Sequence, residues 1–455
     1  MSLETPEKIR ILQRKLYLKA KAEPGYRFYL LYDKIWREDI FLHAYALVKA
    51  NKGASGVDGE TFERIEAAGL EAWLERLREE VRTKSYQPRP VRRVMIPKSG
   101  GGERPLGIPT LRDRVVQAAA KLVLEPIFEA DMEPCAYGYR PGRSAADAIQ
   151  QVHELLKQDY TDVVDADLTK YFDTIPHDAL MTCIARRVVD RDVLHLIKLW
   201  LKVPAEEIDG DGNRRMTGGK SSTGGVPQGG VISPMVANLY MNRFLKYWRT
   251  SGRGQAFQAY IINYADDFVI LSRRHAAQAM TWTEQVMTRL GLSLNRTKTC
   301  VRNARKETFD FLGYSFGPHC YRPKGRWFMG ATPSKKSVQR FKGKVADILI
   351  PGNMGTWEEV RDQINRFMRG WCGYFSYGSH YAADRAIEAY LYDRVRNFLV
   401  RRHKVPTRGT NRFSMKAVFG QMGVLRAHMC RVDRPSCASD ESSRKAGCGK
   451  SARPV

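Results

Sequence analysis

A chain of 455 residues is too long for one small core, and its 43% hydrophobic content excludes wholesale disorder. Lys and Arg number 75 against 49 Asp and Glu, a net charge of +26, and a chain this basic usually faces a polyanion such as nucleic acid. Short apolar runs, a start without a signal-peptide core and eight scattered cysteines argue against a membrane, secreted, disulfide-rich or zinc protein, so we expect a cytoplasmic location.

The first part of the chain is predicted to be mainly helical. Residues 8–50 have a helical pattern that mixes basic with aromatic side chains, and residues 51–59 hold three glycines, which is typical of a loop. Apolar residues at helical spacing from Leu70 to Val81 predict a further helix. Residues 92–109 alternate short apolar runs with charged residues around a glycine turn, which predicts a hairpin.

The later part of the chain contains strands, then basic helices. Strand-and-turn patterns lie at 163–168 and 260–271, and the Gly-rich, polar residues 209–225 predict a surface loop between them. Residues 331–420 have a helical pattern and hold 17 Lys or Arg against 7 Asp or Glu, so we expect this region to grip a phosphate backbone. Residues 427–455 lose the apolar pattern, which predicts a mostly unstructured tail.

Two adjacent carboxylates, Asp266 and Asp267, lie between two apolar runs rich in β-branched residues. This pattern predicts a strand, a tight turn and a second strand, with the carboxylates at the turn. Adjacent carboxylates repel each other, and burying them is costly unless a cation neutralises them. Taken alone, an ordinary polar turn explains the pair as well as a metal site does.

A second acidic strand favours the metal site. Asp165 and Asp167 end an apolar run and share one face of a strand, because side chains alternate with a period of two. Phosphoryl transfer between nucleotides uses two divalent ions about 4 Å apart, and hard oxygen ligands suit Mg²⁺. Three carboxylates on neighbouring strands are the minimum that could hold such a pair, so the sequence predicts two Mg²⁺ ions.

Five motifs, in order along residues 30–425, resemble those of reverse transcriptases. They are Asp167-x4-Phe172-Asp173, Gln228-Gly-x3-Ser233-Pro234, Tyr264-Ala-Asp-Asp267, Gly291-Leu-Ser-Leu-Asn-Arg-Thr-Lys298 and Phe311-Leu-Gly-Tyr-Ser-Phe316. The closest resemblance is to the enzymes encoded by bacterial group II introns, which also serve as maturases. Each motif alone is weak, and their shared order makes the resemblance specific. It implies an α+β, right-hand polymerase fold with fingers, palm and a helical thumb.

The resemblance implies a role for each motif. It makes Asp167, rather than Asp165, the catalytic metal ligand together with Asp266 and Asp267, and it adds Leu168 to the metal contacts. Phe172 would select deoxynucleotides by clashing with a ribose 2′-OH, and Lys298 would protonate the leaving pyrophosphate. The residues implied to contact the nucleotide are Lys98, Arg104, Phe172, Gln228 and Lys298. Plainer alternatives are a core aromatic at Phe172 and solvated cations at Lys98, Arg104 and Lys298.

The primer and the RNA are implied to meet further residues. A primer grip is implied at Phe311, Leu312, Gly313 and Tyr314. Residues 51–59 resemble a motif that lies over the template, and residues 365–375 resemble the thumb, or X domain, of maturases. There, Trp371 and Phe375 are expected in the core rather than stacked on bases. The residues expected to bind RNA are Lys335, Lys336, Arg340, Lys342, Lys344, Arg366, Arg369, Arg401, Arg402 and Lys404.

The domains are predicted in chain order. They are an N-terminal extension with the template-contacting motif at 1–85, fingers at 86–160, palm at 161–330, thumb or X domain at 331–425, and a disordered basic tail at 426–455. Many relatives carry a C-terminal endonuclease with paired cysteines. We expect it to be missing here, because Cys430, Cys437 and Cys448 are widely spaced and lack histidine pairs.

The leading hypothesis is a bacterial protein that polymerises DNA on RNA, helps its intron RNA to splice and supports mobility by target-primed reverse transcription. Its partners would be intron RNA in a ribonucleoprotein, an RNA template, a DNA primer, target DNA and dNTPs, with nucleoid association during action on DNA. Open alternatives are a diversity-generating or defence-associated reverse transcriptase, a maturase without polymerase activity and an RNA-dependent RNA polymerase. The intact Ser233-Pro234 disfavours a diversity-generating enzyme, and a defence-associated one usually carries fused domains or diverged motifs, neither of which is seen. The three aspartates with Gln228 disfavour a maturase without polymerase activity, and Phe172 disfavours an RNA-dependent RNA polymerase.

Overall fold

The computed structural model describes residues 3–97, 102–208, 213–321 and 325–432, and the chain divides into two units, Met1–Ala304 and Arg305–Val455. The helices described in the first unit are α1 (Glu7–Ala22), α2 (Tyr32–Ile35), α3 (Glu38–Ala50), α4 (Phe62–Arg82), α5 (Leu111–Glu129), α6 (Ala145–Lys157), α7 (Tyr171–Thr174), α8 (His177–Ala185), α9 (Arg191–Leu201), α10 (Ser233–Thr250), α11 (Arg253–Ala256) and α12 (Ala276–Arg289). Its strands are β1 (Val91–Pro97), β2 (Glu103–Ile108), β3 (Asp162–Asp167), β4 (Pro204–Ile208), β5 (Arg214–Gly218), β6 (Ala259–Tyr264), β7 (Asp267–Ser272) and β8 (Cys300–Asn303). No helix in these described ranges is both long and apolar enough to cross a bilayer.

The helical prediction for residues 8–50 holds, with a long interruption between α1 and α2 and a short one at Trp36 and Arg37 between α2 and α3. Pro24 and Gly25 follow α1, and both residue types disfavour continuation of a helix. The chain beyond them is extended, and Phe28 exchanges backbone hydrogen bonds with the segment after α8: its N–H donates to the Arg187 carbonyl (2.7 Å), and its carbonyl accepts from the Val189 N–H (2.8 Å).

The predicted hairpin at 92–109 is β1 paired with β2, and it belongs to a larger sheet with the strand order β2-β1-β4-β5. β4 runs parallel to β1 and antiparallel to β5. The prediction of a surface loop over 209–225 is therefore wrong for Arg214–Gly218, which form the edge strand β5. Composition alone could not reveal this strand, because its pairing with β4 is a tertiary interaction.

The sheet that carries the acidic strands has the order β6-β7-β3-β8, and every neighbouring pair in it is antiparallel. Its two central strands are buried, and Val163, Val164, Ile270 and Leu271 have no exposed surface. Helices α6 and α12 pack against this sheet. Strands β3 and β7 both reach the end of the sheet where the aspartates lie, so the packed apolar runs determine where these carboxylates are held.

The second unit has its own sheet and helices. Its elements are β9 (Phe309–Phe311), β10 (Tyr314–Tyr321), β11 (Arg326–Pro333), α13 (Lys335–Ile348), α14 (Trp357–Tyr374), α15 (Tyr381–Arg402), a π-helical turn (Ala417–Gln421) and α16 (Ala427–Val432). The strand order is β11-β10-β9. Phe341 of α13 stacks on Phe367 of α14 at 5.0 Å, and Trp371 and Phe375 are buried beside them, so their predicted place in the core is confirmed.

Two predicted boundaries shift in this unit. Residues 305–330, predicted as palm, group with the basic helices, because Tyr314 on β10 donates its hydroxyl to the Tyr374 carbonyl at the end of α14 (3.0 Å). The tail predicted from 426 begins instead with helix α16. Arg431 in that helix donates to the carbonyls of Cys372 (3.1 Å) and Phe375 (2.6 Å) and pairs with Asp384 (2.8 Å). The tail residues 433–455 lie outside the described residues.

Candidate active site

The turn between β6 and β7 holds the two adjacent carboxylates. Tyr264 pairs with Asp267 across the hairpin, so Ala265 and Asp266 form a two-residue turn. Ala265 has a φ of +60°, a left-handed conformation that short hairpin turns require. Asn263 stabilises this backbone by donating its side-chain amide to the Ala265 carbonyl (2.9 Å). The predicted strand, turn and strand with aspartates at the tip is therefore present.

The pairing of β3 with β7 brings the distant carboxylates together. Asp167, the last residue of β3, lies directly opposite Asp267, the first residue of β7. Side chains of directly opposed residues emerge on the same face with their Cβ atoms about 4.5–5.5 Å apart. Asp165 is two residues earlier, opposite Val269, and therefore lies further from the turn.

Electrostatic repulsion couples the three carboxylates. Loss of solvation raises the pKa of Asp266 above its ordinary value, and repulsion from Asp167 adds to the rise. Desolvation raises the pKa of Asp267 to about 7, with further contributions from Asp266, Asp167 and Asp165. Asp267 is exposed at the surface, but the surrounding protein partly desolvates its carboxylate. The site therefore has a deficit of positive charge.

Asp167 is held by the segment that follows α12. The Asn295 side-chain amide donates to Asp167 Oδ2 (3.2 Å), and the Asn295 backbone N–H donates to the Asp167 carbonyl (2.8 Å). The Asp167 N–H donates to Thr299 Oγ1 (3.3 Å). Lys298 Nζ forms an ion pair with the same Oδ2 at 3.1 Å. Of these partners, only Lys298 was singled out from the sequence, although Asn295 lies in the same motif.

The donor set suits a hard divalent cation, because it consists of carboxylates on two adjoining strands whose mutual repulsion a cation would relieve. Within the described ranges, no three His, Cys, Asp or Glu side chains already stand in a metal-binding arrangement. Asp167 Oδ2 is turned to Lys298 and Asn295 instead. The Leu168 side chain has no ligand atom and is buried in the core, so only its backbone carbonyl could serve as a ligand.

Gly138, which was not singled out from the sequence, supports the turn at Ala265 and Asp266 from behind. A Cβ atom on Gly138 would lie 2.5 Å from the Ala265 nitrogen and 3.0 Å from the Tyr264 carbonyl carbon. The flanking Tyr137 donates its N–H to the Asn263 carbonyl (2.8 Å). Tyr139 packs its ring 6.5 Å from that of Tyr264, and burial followed by repulsion from Asp266 raises the pKa of its hydroxyl.

Candidate nucleotide contacts lie on neighbouring elements. Phe172, in α7 just after β3, is half-buried with its ring 5.7 Å from that of Tyr171. Its carbonyl accepts from the Val226 N–H (2.7 Å), and two residues later the Gln228 carbonyl accepts from the Gly107 N–H of β2 (2.6 Å). These bonds connect the first aspartate motif, the Gln-Gly motif and the first sheet.

Two cations were predicted near the triphosphate. Arg104, on β2, is exposed and acts electrostatically on Asp266, whose pKa it lowers. Lys98 lies outside the described residues. Lys298 contacts Asp167, so the structure brings it to the carboxylates.

The glycine loop 51–59 is fixed against the start of α5. Arg114 donates to the carbonyls of Pro109 (2.9 Å) and Ala54, and a Cβ atom on Gly56 would lie 2.7 Å from the Thr110 Cα. A cavity of about 920 Å³ opens beside this loop. Its lining combines apolar residues of α3 and α5 with Arg14, Lys121 and the loop backbone, and it extends to Gly229.

Two family descriptions match the chain: "Reverse transcriptase (RNA-dependent DNA polymerase)" over residues 96–316, and "Group II intron, maturase-specific domain" over residues 338–417. Protein YkfC of Escherichia coli is 36% identical over 345 residues, which cover 67% of this chain and 87% of YkfC. The chain belongs to the group II intron-encoded reverse transcriptases. The predicted family, α+β polymerase fold and RNA-directed DNA polymerase class are confirmed.

Longer relatives extend the comparison. The group II intron-encoded protein LtrA of Lactococcus lactis is 32% identical over 48% of this chain, and the putative COX1/OXI3 intron 2 protein of Saccharomyces cerevisiae is 27% identical over 60%. The chain spans 35% and 37% of these two relatives. The structure of Candida albicans telomerase is similar with a TM-score of 0.41 at 12% identity, covering 76% of this chain and 67% of that one. This likeness is too low to carry an argument.

The motif predicted to grip the primer forms the turn between β9 and β10. Leu312 and Gly313 take positive φ angles of 48° and 80°, and the Gly313 carbonyl accepts from the Ser334 N–H (2.9 Å) and the Ser337 hydroxyl (2.8 Å). Phe311 and Tyr314 are buried, Tyr314 completely. Leu312 and Gly313 are therefore the accessible residues of this motif, and the two aromatic residues hold the turn in place.

The candidate RNA-binding cations of the maturase domain are mostly exposed. Those on α13 flank a buried stripe of Phe341 and Val345, and Lys342 alone among them is partly covered, with its ammonium 5.4 Å from the Tyr390 ring. The exposed members on α13, α14 and the end of α15 are Lys335, Lys336, Arg340, Lys344, Arg366, Arg369, Arg401, Arg402 and Lys404. All ten predicted positions therefore keep their charges at or near the surface.

Proposed function

We propose that this reverse transcriptase extends a DNA primer on an RNA template at Asp167, Asp266 and Asp267, with two Mg²⁺ ions as cofactor. The observation that carries the proposal is the direct opposition of Asp167 and Asp267 on β3 and β7, with Asp266 beside them in the turn. The pKa values of Asp266 and Asp267 are raised by desolvation and by repulsion between the neighbouring carboxylates, and divalent cations would supply the missing positive charge. Divalent ions, when bound, would activate the primer hydroxyl and stabilise the leaving oxygens.

The chain's own residues would select and orient the substrates. Phe172 follows the ligand strand, and its half-buried ring would block a 2′-OH and so select dNTPs. Gln228 would contact the nucleotide, and the hydrogen bond from the Gly107 N–H of β2 to its carbonyl would hold it in place. Arg104, whose positive charge reaches Asp266, would neutralise the triphosphate, and we assign the same role to Lys98 on the resemblance alone.

The template and primer would contact other elements. The template would lie along the glycine loop 51–59. This loop is held against α5, and it lines the large cavity together with Arg14 and Lys121. The primer would meet the backbone turn at Leu312 and Gly313. Base pairing then supplies sequence information, and the protein holds the strands through their phosphates.

The maturase role rests on the second unit. The exposed cations of α13, α14 and α15 would bind intron RNA through its phosphates, and the buried aromatic residues beneath them would hold these helices rigid. We propose that the resulting ribonucleoprotein assists splicing and uses target DNA as a primer for mobility. The matched maturase-specific domain over 338–417 favours this function over a reverse transcriptase without an intron.

Primer extension on an RNA template tests the polymerase proposal. Asp266→Ala and Asp167→Ala are expected to lose at least about 1,000-fold in single-turnover rate, because each removes a ligand on which both ions depend. RNA affinity should stay within about three-fold, because the cations that bind phosphates are untouched. Asp178→Asn is the matched control, an exposed aspartate at the start of α8. Extension by Asp266→Ala within ten-fold of wild type would remove this residue from the site.

A further inference from the structure

The segment from Leu294 to Thr299 wraps around the end of β3, where Asp167 lies. Leu294 forms a β-bridge with Leu168, and Asn295 and Thr299 both form hydrogen bonds with the backbone of Asp167, the residue before Leu168. The carboxylate of Asp167 is therefore the one member of the three whose side chain is held by a hydrogen bond and an ion pair from this segment.

Two groups share a single oxygen of Asp167. The Asn295 side-chain amide donates to Oδ2 at 3.2 Å. The Asn295 backbone N–H also donates to the Asp167 carbonyl, so this residue is held in place by two hydrogen bonds to Asp167. The Lys298 ammonium is 3.1 Å from the same Oδ2, but its side chain is 67% exposed against 29% for Asp167. Breaking an ion pair made by an exposed lysine such as Lys298 costs little free energy, whereas the short Asn295 side chain is already held in position.

Lys298 also supplies charge that the site lacks. Among the ion pairs of the described residues, the one with Lys298 is the only one made to Asp167, Asp266 or Asp267. The positive charge of Lys298 lowers the pKa values of both Asp266 and Asp267, opposing the rise caused by their neighbours. A divalent cation arriving at these carboxylates would be repelled by this ammonium and would compete with it for Oδ2.

We propose that Lys298 is a tethered counter-ion that a divalent cation displaces from Asp167, and that Asn295 is a positioning residue that keeps this carboxylate turned toward the site. The inference rests on the proposed function, since it assumes that Asp167 is a metal ligand. Lys298 neutralises the metal-free carboxylates and becomes available to the nucleotide phosphates once the cation has taken its place. Asn295 stays bonded to Asp167 in both states.

The two residues are distinguished by opposite effects on metal binding. Lys298→Met removes a competitor and is expected to tighten Mn²⁺ binding about two- to five-fold, the range that removal of an exposed ion pair allows. Asn295→Ala frees the Asp167 side chain and is expected to weaken Mn²⁺ binding by about three-fold or more, as removal of an outer partner of a ligand does. General damage to the segment would weaken binding in both variants.

The measurement is Mn²⁺ binding to the full-length chain, followed by electron paramagnetic resonance of free Mn²⁺ without nucleotide or nucleic acid. Arg296→Met is the matched control, because Arg296 lies in the same segment, is 88% exposed and pairs with Glu284 at 3.1 Å rather than with an aspartate of the site. Its Mn²⁺ affinity should stay within two-fold of wild type. Lys298→Arg, which keeps the charge, should also stay within two-fold.

The outcomes separate this inference from the proposed function. If Asp167→Asn binds Mn²⁺ as wild type does, Asp167 is no ligand and the proposed metal site is wrong. If Asp167→Asn loses binding while Lys298→Met is unchanged or weaker, the counter-ion role alone is overturned. Equal tightening by Arg296→Met would overturn it as well, because removing any cation would then suffice. Thermal melting in EDTA confirms folding of Asn295→Ala, and a folded variant with wild-type affinity would refute the positioning role.

Discussion

Replacing Gly138 with alanine is expected to disable catalysis without removing any reacting group. The new Cβ atom would lie 2.5 Å from the Ala265 nitrogen and 3.0 Å from the Tyr264 carbonyl carbon, both backbone atoms of the catalytic turn. Ordinary contacts between such atoms are near 3.5 Å, so one backbone must move by about 1 Å. Gly138 itself is tied to α10, because the Asn238 side-chain amide donates to its carbonyl. The turn with Asp266 would have to yield.

The expected effect follows from that displacement. A shift of about 1 Å at reacting groups can lower a rate roughly 100-fold, and crowding of a packed site costs about 1–3 kcal/mol of stability. The assay is single-turnover incorporation of one dNTP on an RNA template, combined with thermal melting. The rate constant should fall about 100-fold, and the apparent dNTP affinity should change little, because Phe172 and Gln228 lie on other elements.

Gly25→Ala provides the comparison, because a Cβ atom there meets no atom within 4 Å. That variant should retain its full rate. A Gly138→Ala enzyme that works within three-fold of wild type at an unchanged melting temperature would contradict the reasoning, because it would mean that the catalytic turn tolerates displacement.

Three further predictions concern the sugar, the carboxylates and RNA. Phe172→Ala should accept ribonucleotides at least about ten-fold better relative to dNTPs, as removal of a steric block requires, and unchanged sugar selectivity in competition assays would reject the gate. The pKa of Asp267 is raised to about 7, so its ionisation destabilises the metal-free fold as pH rises from about 4 through 7. In EDTA above pH 7, the melting temperature of Asp267→Asn should therefore be about 2 °C higher than that of wild type, after allowance for solvent screening, and at pH 4 it should be no higher. An equal difference at both pH values would contradict the raised pKa of Asp267. Neutralising Lys335, Lys336 and Arg340 together should reduce the slope of log RNA affinity against log salt by about one for each RNA phosphate that these cations neutralise, and an unchanged slope would argue against α13 as an RNA-binding surface.

Local sequence patterns predicted the hairpin of β6 and β7 because the residues that specify it are close together in the chain. The apolar runs on either side of Asp266 and Asp267 are long and rich in β-branched residues, so a strand, a turn and a second strand follow from chain geometry. The choice of Asp167 over Asp165 came from the family resemblance. The pairing register supports that choice, because Asp167 lies opposite Asp267 and Asp165 lies opposite Val269.

Features that depend on distant contacts were missed. Gly138 supports the Ala265 turn from more than 120 residues away, and Asn295 reaches Asp167 across a similar separation. Strand β5 and the boundary after Ala304 likewise depend on which elements pair, which composition does not report. Tyr314 was expected to grip a primer, but its ring fills the core of the second unit, where an aromatic in a strand gains most from burial.

The central sheet explains how the site tolerates its own repulsion. Asp167 and Asp267 are the end residues of two strands whose apolar interior side chains are buried, so they cannot separate without breaking the apolar packing of Val164 and Ile270. The side chains relieve the repulsion instead. Lys298 and Asn295 contact the Asp167 carboxylate, and the pKa of Asp267 is raised, which favours its neutral form. Packing thus fixes the backbone where we propose that ions bind, and Lys298 is the more exposed partner of its ion pair with Asp167. On that proposal, metal exchange would require movement of this side chain rather than of the fold.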